Sequence, residues 1–150
     1  MQALRDRTGP DPLEMNTDDW QNCLGRTHRS IKTALLDQKL VAGIGNLYAS
    51  EILHLARIAP SAPCEGLSRP RVERLAQACR DILADAIRYE GSTLGDGTYR
   101  TALSQHGRYQ NHHRVYQKEH QRCPTCHGGR IRRIVQAQRS TFFCPTCQRR

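Results

Sequence analysis

Four cysteines near the C-terminal end of the sequence have the residue type and spacing of metal ligands. They form two Cys-Pro-Thr-Cys pairs, Cys123–Cys126 and Cys144–Cys147, with 17 residues between the pairs. This spacing is typical of a four-cysteine zinc site, in which each pair supplies two thiolates to adjacent corners of a tetrahedron. Four sulfur ligands leave no corner for water, so we expect one structural Zn²⁺. Two disulfides, or two redox-active pairs, are the alternatives.

The segment between the two cysteine pairs has the pattern of a small β-hairpin. Two short apolar runs, at residues 131–135 and 141–143, flank the polar stretch 136–140. This arrangement predicts two antiparallel strands that carry Arg139 at the tip of the hairpin. Because so small a hairpin buries too little apolar surface to fold alone, zinc binding has to supply its folding free energy.

Basic charge is concentrated in the last third of the chain. Residues 1–99 contain 12 basic and 13 acidic side chains, whereas residues 100–150 contain 11 basic side chains and one acidic side chain. Such asymmetry indicates a polyanionic partner that is bound mainly by the C-terminal part. A solvated basic tail is the alternative, although a disordered tail would not need a metal site.

Chain length and cysteine usage limit the class of protein. A chain of 150 residues fits one domain or two small ones. It has no apolar run close to the roughly 18 residues of a membrane span and no signal peptide, so we expect neither membrane insertion nor secretion. Three cysteines lie outside the pairs, and free thiols beside thiolate ligands favour the reducing cytoplasm: Cys23, Cys64 and Cys79.

Hydrophobic periodicity predicts helices before the cysteine-rich segment. Residues 1–15 have linker composition, and residues 17–19 have the pattern of a helix N-terminus. Apolar residues recur at helical spacing over residues 31–40, and the strongest amphipathic stripe runs over residues 72–87. We expect two residues of these helices to pack in the core, Trp20 and Cys79.

A turn with two glycines separates two of the predicted helices. Gly43 and Gly45 immediately precede Asn46, where the second helix is predicted to begin. Because glycine has no side chain, an anion can approach the exposed amides of that helix N-terminus closely. In a basic protein the expected anion is a DNA phosphate. A plain αα-hairpin, or a helix-hairpin-helix, fits the same turn.

Two stretches together resemble the formamidopyrimidine-DNA glycosylase family. They are residues 35–51, LLDQKLVAGIGNLYASE, and residues 136–144, QAQRSTFFC. In that family the first stretch is the helix–two-turn–helix and the second lies in the C-terminal zinc finger. Both hold the phosphate backbone around a damaged base that is rotated out of the duplex. The sequence after Gly45 favours this family over a helix-hairpin-helix.

The resemblance implies a mainly α fold, with a helix–two-turn–helix DNA-binding module followed by a small β-hairpin Cys₄ zinc ribbon. The implied organisation is a linker at residues 1–15, the helical module at 16–94, a flexible lesion-facing loop at 95–120 and the zinc finger at 121–150. Histidines near the cysteines are not expected to bind the metal, since four thiolates already satisfy it.

The resemblance also assigns DNA contacts by position. Asn46 corresponds to the family's phosphate-binding asparagine, and Lys32 to a lysine of the same helix pair that lies near phosphate. Arg139 corresponds to the zinc-finger arginine that bridges the phosphates beside the lesion and has a part in the second elimination step. Gly45 and Gln138 adjoin these residues in the two motifs and are expected to contact DNA as well.

The nucleophile of the family has no counterpart in this sequence. The family attacks the sugar through an N-terminal proline amine, assisted by an adjacent glutamate and by a lysine of a β-sandwich domain. This chain begins Met1-Gln2-Ala3. Because no residue replaces the secondary amine that forms the iminium intermediate, we expect no base excision by this chain alone.

The function that we expect is therefore the damaged-DNA-binding half of a base excision repair glycosylase. We expect a monomer that binds double-stranded DNA at the nucleoid of a bacterial cytoplasm. Two alternatives stay open: an active DNA glycosylase and AP lyase once a missing N-terminal catalytic domain completes it, or a stand-alone zinc-ribbon DNA-binding protein.

Overall fold

The computed structural model of the chain describes residues 9–96 and 113–150. Over these ranges it contains four α-helices: α1 (Thr17–Leu24), α2 (Ile31–Leu35), α3 (Asn46–Ala56) and α4 (Arg69–Asp96). Two strands, β1 (Arg132–Gln136) and β2 (Arg139–Phe143), form an antiparallel hairpin. Short 3-10 turns at Pro12–Glu14 and Cys64–Gly66 precede α1 and α4. The mainly α fold with one small β-hairpin is as predicted.

Polar side chains cap the first two helices. The Asn16 side chain accepts a hydrogen bond from the Asp19 amide at 2.8 Å, and the Asp19 carboxylate accepts one from the Asn16 amide at 3.0 Å. This reciprocal pair is a capping box, and it makes Asn16 the N-cap, one residue before the predicted helix N-terminus at residues 17–19. Ser30 caps α2 in a similar way by accepting from the Thr33 amide.

A single apolar core joins the four helices. Trp20 is 0% exposed and Cys79 is also fully buried, so the prediction that both pack in the core is confirmed. Burial raises the pKa of the Cys79 thiol to about 12, which keeps it protonated and unreactive at neutral pH. None of the described helices has the length and apolar character needed to cross a lipid bilayer.

Residues 9–15 pack against the helical core, although the sequence predicts a linker over 1–15. The Gly9 amide donates to the Gln38 carbonyl at 2.7 Å, and the Ala42 amide donates to the Pro10 carbonyl at 3.0 Å. A Cβ at Gly9 would lie 2.5 Å from the backbone carbon of Leu40, so only glycine allows this approach. Residues 1–8 of the predicted linker lie outside the described residues.

One face of α3 carries the contacts to the hairpin. The Asn46 side chain donates to the Ser140 carbonyl at 3.0 Å, and Ser50 Oγ accepts from the Phe142 amide at 3.5 Å. One turn further along, His54 Nε2 lies 3.4 Å from Cys123 Sγ. Because residues four apart lie on the same side of a helix, these three contacts form a continuous seam.

Glu51 anchors the chain that leads into the zinc finger. Its buried carboxylate accepts hydrogen bonds from three consecutive amides, those of Arg114, Val115 and Tyr116, at 2.8–2.9 Å. The Tyr116 ring packs edge-on against Phe142, with ring centroids 5.1 Å apart. The end of the predicted loop over 95–120 is therefore packed, while residues 97–112 of that loop lie outside the described residues.

We expect Glu51→Ala to destabilise the zinc-loaded protein strongly. Three partly buried amides lose their acceptor together, and an unsatisfied buried donor costs about 1–3 kcal/mol. Urea denaturation measures the loss, and hydrogen exchange at residues 114–116 locates it. Glu73→Ala is the matched control, because Glu73 is exposed and its pairing with Arg69 at 3.7 Å is a surface ion pair. Unchanged exchange at residues 114–116 would contradict the anchoring role.

Candidate zinc centre and nucleic-acid interface

The four cysteine sulfurs converge at the base of the hairpin. All four Sγ atoms lie within 4.8 Å of one another, with Cys123 and Cys147 at 3.5 Å and Cys126 and Cys144 at 3.7 Å. Four sulfurs about 2.3 Å from a tetrahedral zinc ion are about 3.8 Å apart, so the separations fit that metal. No other cluster of three or more potential ligands occurs in residues 9–96 and 113–150.

Backbone groups prepare this cluster for a metal. The Thr125 amide donates to Cys123 Sγ at 3.4 Å. Hydrogen bonds from the Cys147 thiol and the Gly128 amide lower the pKa of Cys126 to about 6, which favours the thiolate form that binds zinc, whereas burial raises the pKa of Cys144 and of Cys147. A Cβ at Gly129 would lie 2.8 Å from Cys144 Sγ, so the ligand loop closes only with glycine at that position.

His54 connects the zinc cluster to α3 and was not anticipated from the sequence. It is 2% exposed, and burial lowers the pKa of the imidazole, although the nearby Glu51 carboxylate acts in the opposite direction. The neutral ring can donate its Nε2–H to Cys123 Sγ, since its buried Nδ1 has no hydrogen-bond partner. A hydrogen bond of this kind stabilises a metal-bound thiolate and orients it.

The glycine turn leaves the N-terminus of α3 open. Gly43 has φ of +84°, a conformation that favours glycine. The Gln38 side chain holds this turn by accepting from the Gly43 amide at 2.7 Å and donating to the Ile44 carbonyl at 3.1 Å. Gly45 is the N-cap of α3, provides no side-chain cap, and has no atom within 4 Å of where a Cβ would lie. An anion can therefore reach the first turn of α3.

Lys32 lies beneath this turn rather than on the surface. Its side chain is 0% exposed, and Nζ donates to Asn46 Oδ1 at 2.8 Å and to Thr141 Oγ1 at 2.7 Å. Burial, together with the like charge of Arg139, lowers the pKa of Lys32 to about 8. The residue that was predicted to approach phosphate is therefore enclosed, and it joins α2, α3 and β2.

The hairpin tip lies beside the start of α3. Ala137 and Gln138 have positive φ angles of 50° and 66° and form a two-residue turn that pairs Gln136 with Arg139. Arg139 is exposed and precedes Ser140, whose carbonyl binds the Asn46 side chain. Four of the five predicted DNA-contact residues therefore share one surface: Gly45, Asn46, Gln138 and Arg139. Lys32 is the fifth and lies beneath this surface.

We expect His54→Leu to release zinc faster than the wild type. Loss of a hydrogen bond to a metal ligand typically lowers metal affinity about 10–100-fold. The measurement is the rate and extent of zinc transfer to a chromogenic chelator. His28→Leu is the control, since the His28 side chain is 92% exposed. Equal release from both variants and the wild type would contradict the proposed role of the Nε2–H.

We expect Lys32 to make the free energy of unfolding increase with pH above pH 8. The folded protein releases the Lys32 proton near pH 8, whereas the unfolded chain holds it to about pH 10.5. Between these values the unfolded state binds more protons, so stability rises with pH, by at most about 1.4 kcal/mol per pH unit. The stability difference between the wild type and Lys32→Met should follow this curve in urea denaturation, and a difference that does not change with pH in this range would contradict the prediction.

Family models match both parts of the chain. A model described as the formamidopyrimidine-DNA glycosylase H2TH domain matches residues 8–98, and one described as a zinc finger found in FPG and IleRS matches residues 121–150. The second match, together with the sulfur geometry, confirms one structural four-cysteine zinc site.

Curated relatives carry the same family name. The formamidopyrimidine-DNA glycosylase of Azorhizobium caulinodans is 47% identical over 152 residues, and that of Thermus thermophilus is 42% identical over 144 residues. The alignments cover 94% and 95% of this chain, but 50% and 54% of the relatives. The chain therefore spans about half the length of the curated relatives that it matches.

Solved structures of the family have the same fold. A complex between the Lactococcus lactis Fpg and DNA containing an abasic site matches with a TM-score of 0.83 at 35% identity, over 98% of this chain and 54% of that chain. The MutM (Fpg) protein of Thermus thermophilus matches with a TM-score of 0.81 at 42% identity, over 95% of this chain and 54% of that chain. Fold, zinc cluster and sequence agree: the chain belongs to the formamidopyrimidine-DNA glycosylase family.

Proposed function

We propose that this chain grips the phosphate backbone of damaged double-stranded DNA, as the DNA-binding half of a formamidopyrimidine-DNA glycosylase. The helical module (16–94) and the zinc finger (121–150) would act as one surface in the bacterial cytoplasm, at the nucleoid. The single observation that supports this most is the position of Lys32, which binds Asn46 and Thr141 at once. That link holds the helix N-terminus and the hairpin tip together.

Each group on this surface suits a phosphodiester. The open N-terminus of α3 offers backbone amides and the positive end of a helix dipole. Arg139 offers a planar guanidinium that can bind phosphate oxygens in pairs. The Asn46 amide is held at both ends, by Lys32 and by Ser140, so little side-chain entropy is lost on binding.

Strain at the hairpin tip supports a functional role for Arg139. Ala137 and Gln138 both adopt the left-handed conformation, which costs about 1–2 kcal/mol for a residue with a Cβ. Such strain persists where the surrounding structure imposes it, and it is frequent at functional sites. Here the zinc cluster at the base and the α3 seam along the side hold the tip in place.

Lesion recognition is proposed by comparison with the family. The Lactococcus lactis Fpg is described in complex with abasic-site DNA and with DNA containing FAPY-dG. This chain corresponds to about half of such proteins. We propose that it contributes the backbone grip and the Arg139 guanidinium near the elimination step, and that base excision needs the other half. A complete glycosylase and AP lyase is therefore the second candidate function.

Arg139→Ala should weaken duplex binding on every sequence alike, because phosphate contacts carry no base information. Loss of one phosphate contact should reduce the log–log salt slope by about 0.9. Fluorescence anisotropy on duplexes with and without an abasic-site analogue, at several salt concentrations, measures both effects. Arg88→Ala removes an equal charge from an exposed position of α4 and should leave the slope unchanged. Unchanged affinity and slope for Arg139→Ala would place the interface elsewhere.

Borohydride reduction distinguishes the two candidate functions. A lyase that acts through an amine forms an imine with the sugar, and borohydride converts the imine into a stable covalent adduct. We expect no adduct between this chain alone and an abasic-site duplex. An adduct with the chain alone would show that a nucleophile is present within residues 1–150 and would overturn the assignment as a binding half.

A further inference from the structure

Five arginines surround a shallow cavity at the far end of α3. The cavity has a volume of about 360 Å³, and its lining is Arg57, Arg71, Arg74, Cys147, Arg149 and Arg150. We refer to it as the arginine cavity. The residues come from three separate segments, namely the end of α3, the start of α4 and the chain that follows the last zinc ligand. Only the tertiary structure brings them together.

Backbone carbonyls hold these arginines in place. Arg71 Nη2 donates to the Arg149 carbonyl, and Arg74 Nε donates to the Ala56 carbonyl at 3.1 Å. The Arg149 amide donates in turn to the Arg57 carbonyl at 3.4 Å. Since the Arg71 and Arg74 side chains each use a single guanidinium N–H in these bonds, four N–H donors of each group are left for a ligand.

No acidic side chain neutralises this cluster within the part of the chain that the structure describes. The ion pairs found there involve His28 and other arginines, and Glu73, which follows Arg71 by two residues, is paired with Arg69. The first turn of α4 has no acidic residue, so the helix dipole adds further positive potential. Burial and the like charge of Arg74 lower the pKa of the Arg71 guanidinium, which reflects this crowding.

The arginine cavity lies away from the surface proposed to grip DNA. Asn46 begins α3 and Arg57 follows its last residue, so the two are separated by the helix length, about 16 Å at 1.5 Å per residue. A phosphate bound at the N-terminus of α3 lies beyond Asn46 along the helix axis. A duplex in that position therefore approaches the opposite end of the helix from the arginine cavity.

We propose that the arginine cavity is a second phosphate-binding site, separate from the DNA grip. Guanidinium groups match the geometry and charge of phosphate oxygens, and an open cavity suits a doubly or singly charged group at the end of a larger molecule. The ligand is a phosphate group, supplied either by the backbone of a second DNA segment or by a free phosphate compound. Phosphate binding at the arginine cavity is independent of the proposed DNA binding at the N-terminus of α3.

The first experiment compares thermal midpoints in phosphate and in chloride at equal ionic strength. It uses the zinc-loaded protein carrying Arg139→Ala, which removes a cation from the surface proposed to bind DNA. Specific binding raises the midpoint as the phosphate concentration rises. Replacing both Arg71 and Arg74 by alanine should weaken phosphate binding at least about tenfold, which corresponds to one charged hydrogen bond. Arg88→Ala on the same helix is the matched control and should keep the full effect.

Arg57→Gly tests whether a reduced phosphate effect is caused by loss of folding. Arg57 has φ of 61°, a conformation that glycine adopts without strain. The substitution removes one cation of the cavity while it relaxes the backbone. We therefore expect a higher midpoint in chloride together with a smaller phosphate effect. Because the substitution relaxes the backbone, loss of folding cannot explain a smaller phosphate effect in this variant.

The second experiment identifies the source of the phosphate. Wild-type protein is bound to an immobilised duplex, and capture of a second, labelled duplex is measured. Capture that Arg71→Ala/Arg74→Ala abolishes and Arg88→Ala retains assigns the site to a DNA backbone. A phosphate effect without capture assigns it to a free phosphate compound. The proposal is overturned if phosphate does not raise the thermal midpoint of the protein with an intact arginine cavity. It is also overturned if Arg88→Ala reduces the phosphate effect as much as Arg71→Ala/Arg74→Ala does, or if polyglutamate at equal charge raises the midpoint more than phosphate does.

Discussion

The packing of the hairpin along one face of α3 is the contact on which the rest of the structure depends. A two-stranded hairpin has too little apolar surface to hold its own orientation, and zinc alone fixes only its base. The seam through Asn46, Ser50 and His54 runs from the open helix N-terminus down to the metal cluster. Helix α3 thereby positions the hairpin tip and the zinc ligands. Through Glu51 it also positions residues 114–116, which lead into the zinc finger.

The buried ammonium of Lys32 is the least expected part of this seam. Its hydrogen-bond partners are neutral oxygens of Asn46 and Thr141, and within the described ranges no carboxylate lies within ion-pair distance. Enclosing a cation without a counter-ion is costly, as its lowered pKa reflects. On the proposed function, a phosphate bound above Asn46 would supply the missing negative charge, so DNA binding and the internal link would reinforce each other.

Positive charge is arranged at both ends of α3 rather than spread along a tail. Arg139 lies beside the first turn of the helix, and Arg57 immediately follows its last turn. A disordered basic tail, the alternative that composition alone permits for residues 100–150, would not fix the Arg149 backbone, which donates to the Arg57 carbonyl and accepts from the Arg71 guanidinium. The folded zinc finger gives each arginine a defined environment. The two ends of α3 consequently differ: Arg139 lies beside the open N-terminus, and the arginine cavity follows the last turn.

The sequence by itself determined the features that depend on neighbours along the chain. Cysteine spacing specifies the zinc site, Gly43 and Gly45 specify an open turn, and apolar periodicity specifies the helices, because each signal needs only local geometry. The tertiary structure decided the burial of Lys32, the three-amide anchor at Glu51 and the contact of His54 with a zinc ligand. Apart from Asn46, which is 14 residues from Lys32, their partners lie between 63 and 109 residues away along the chain. Tertiary packing determines such partners, and a local sequence pattern therefore cannot predict them.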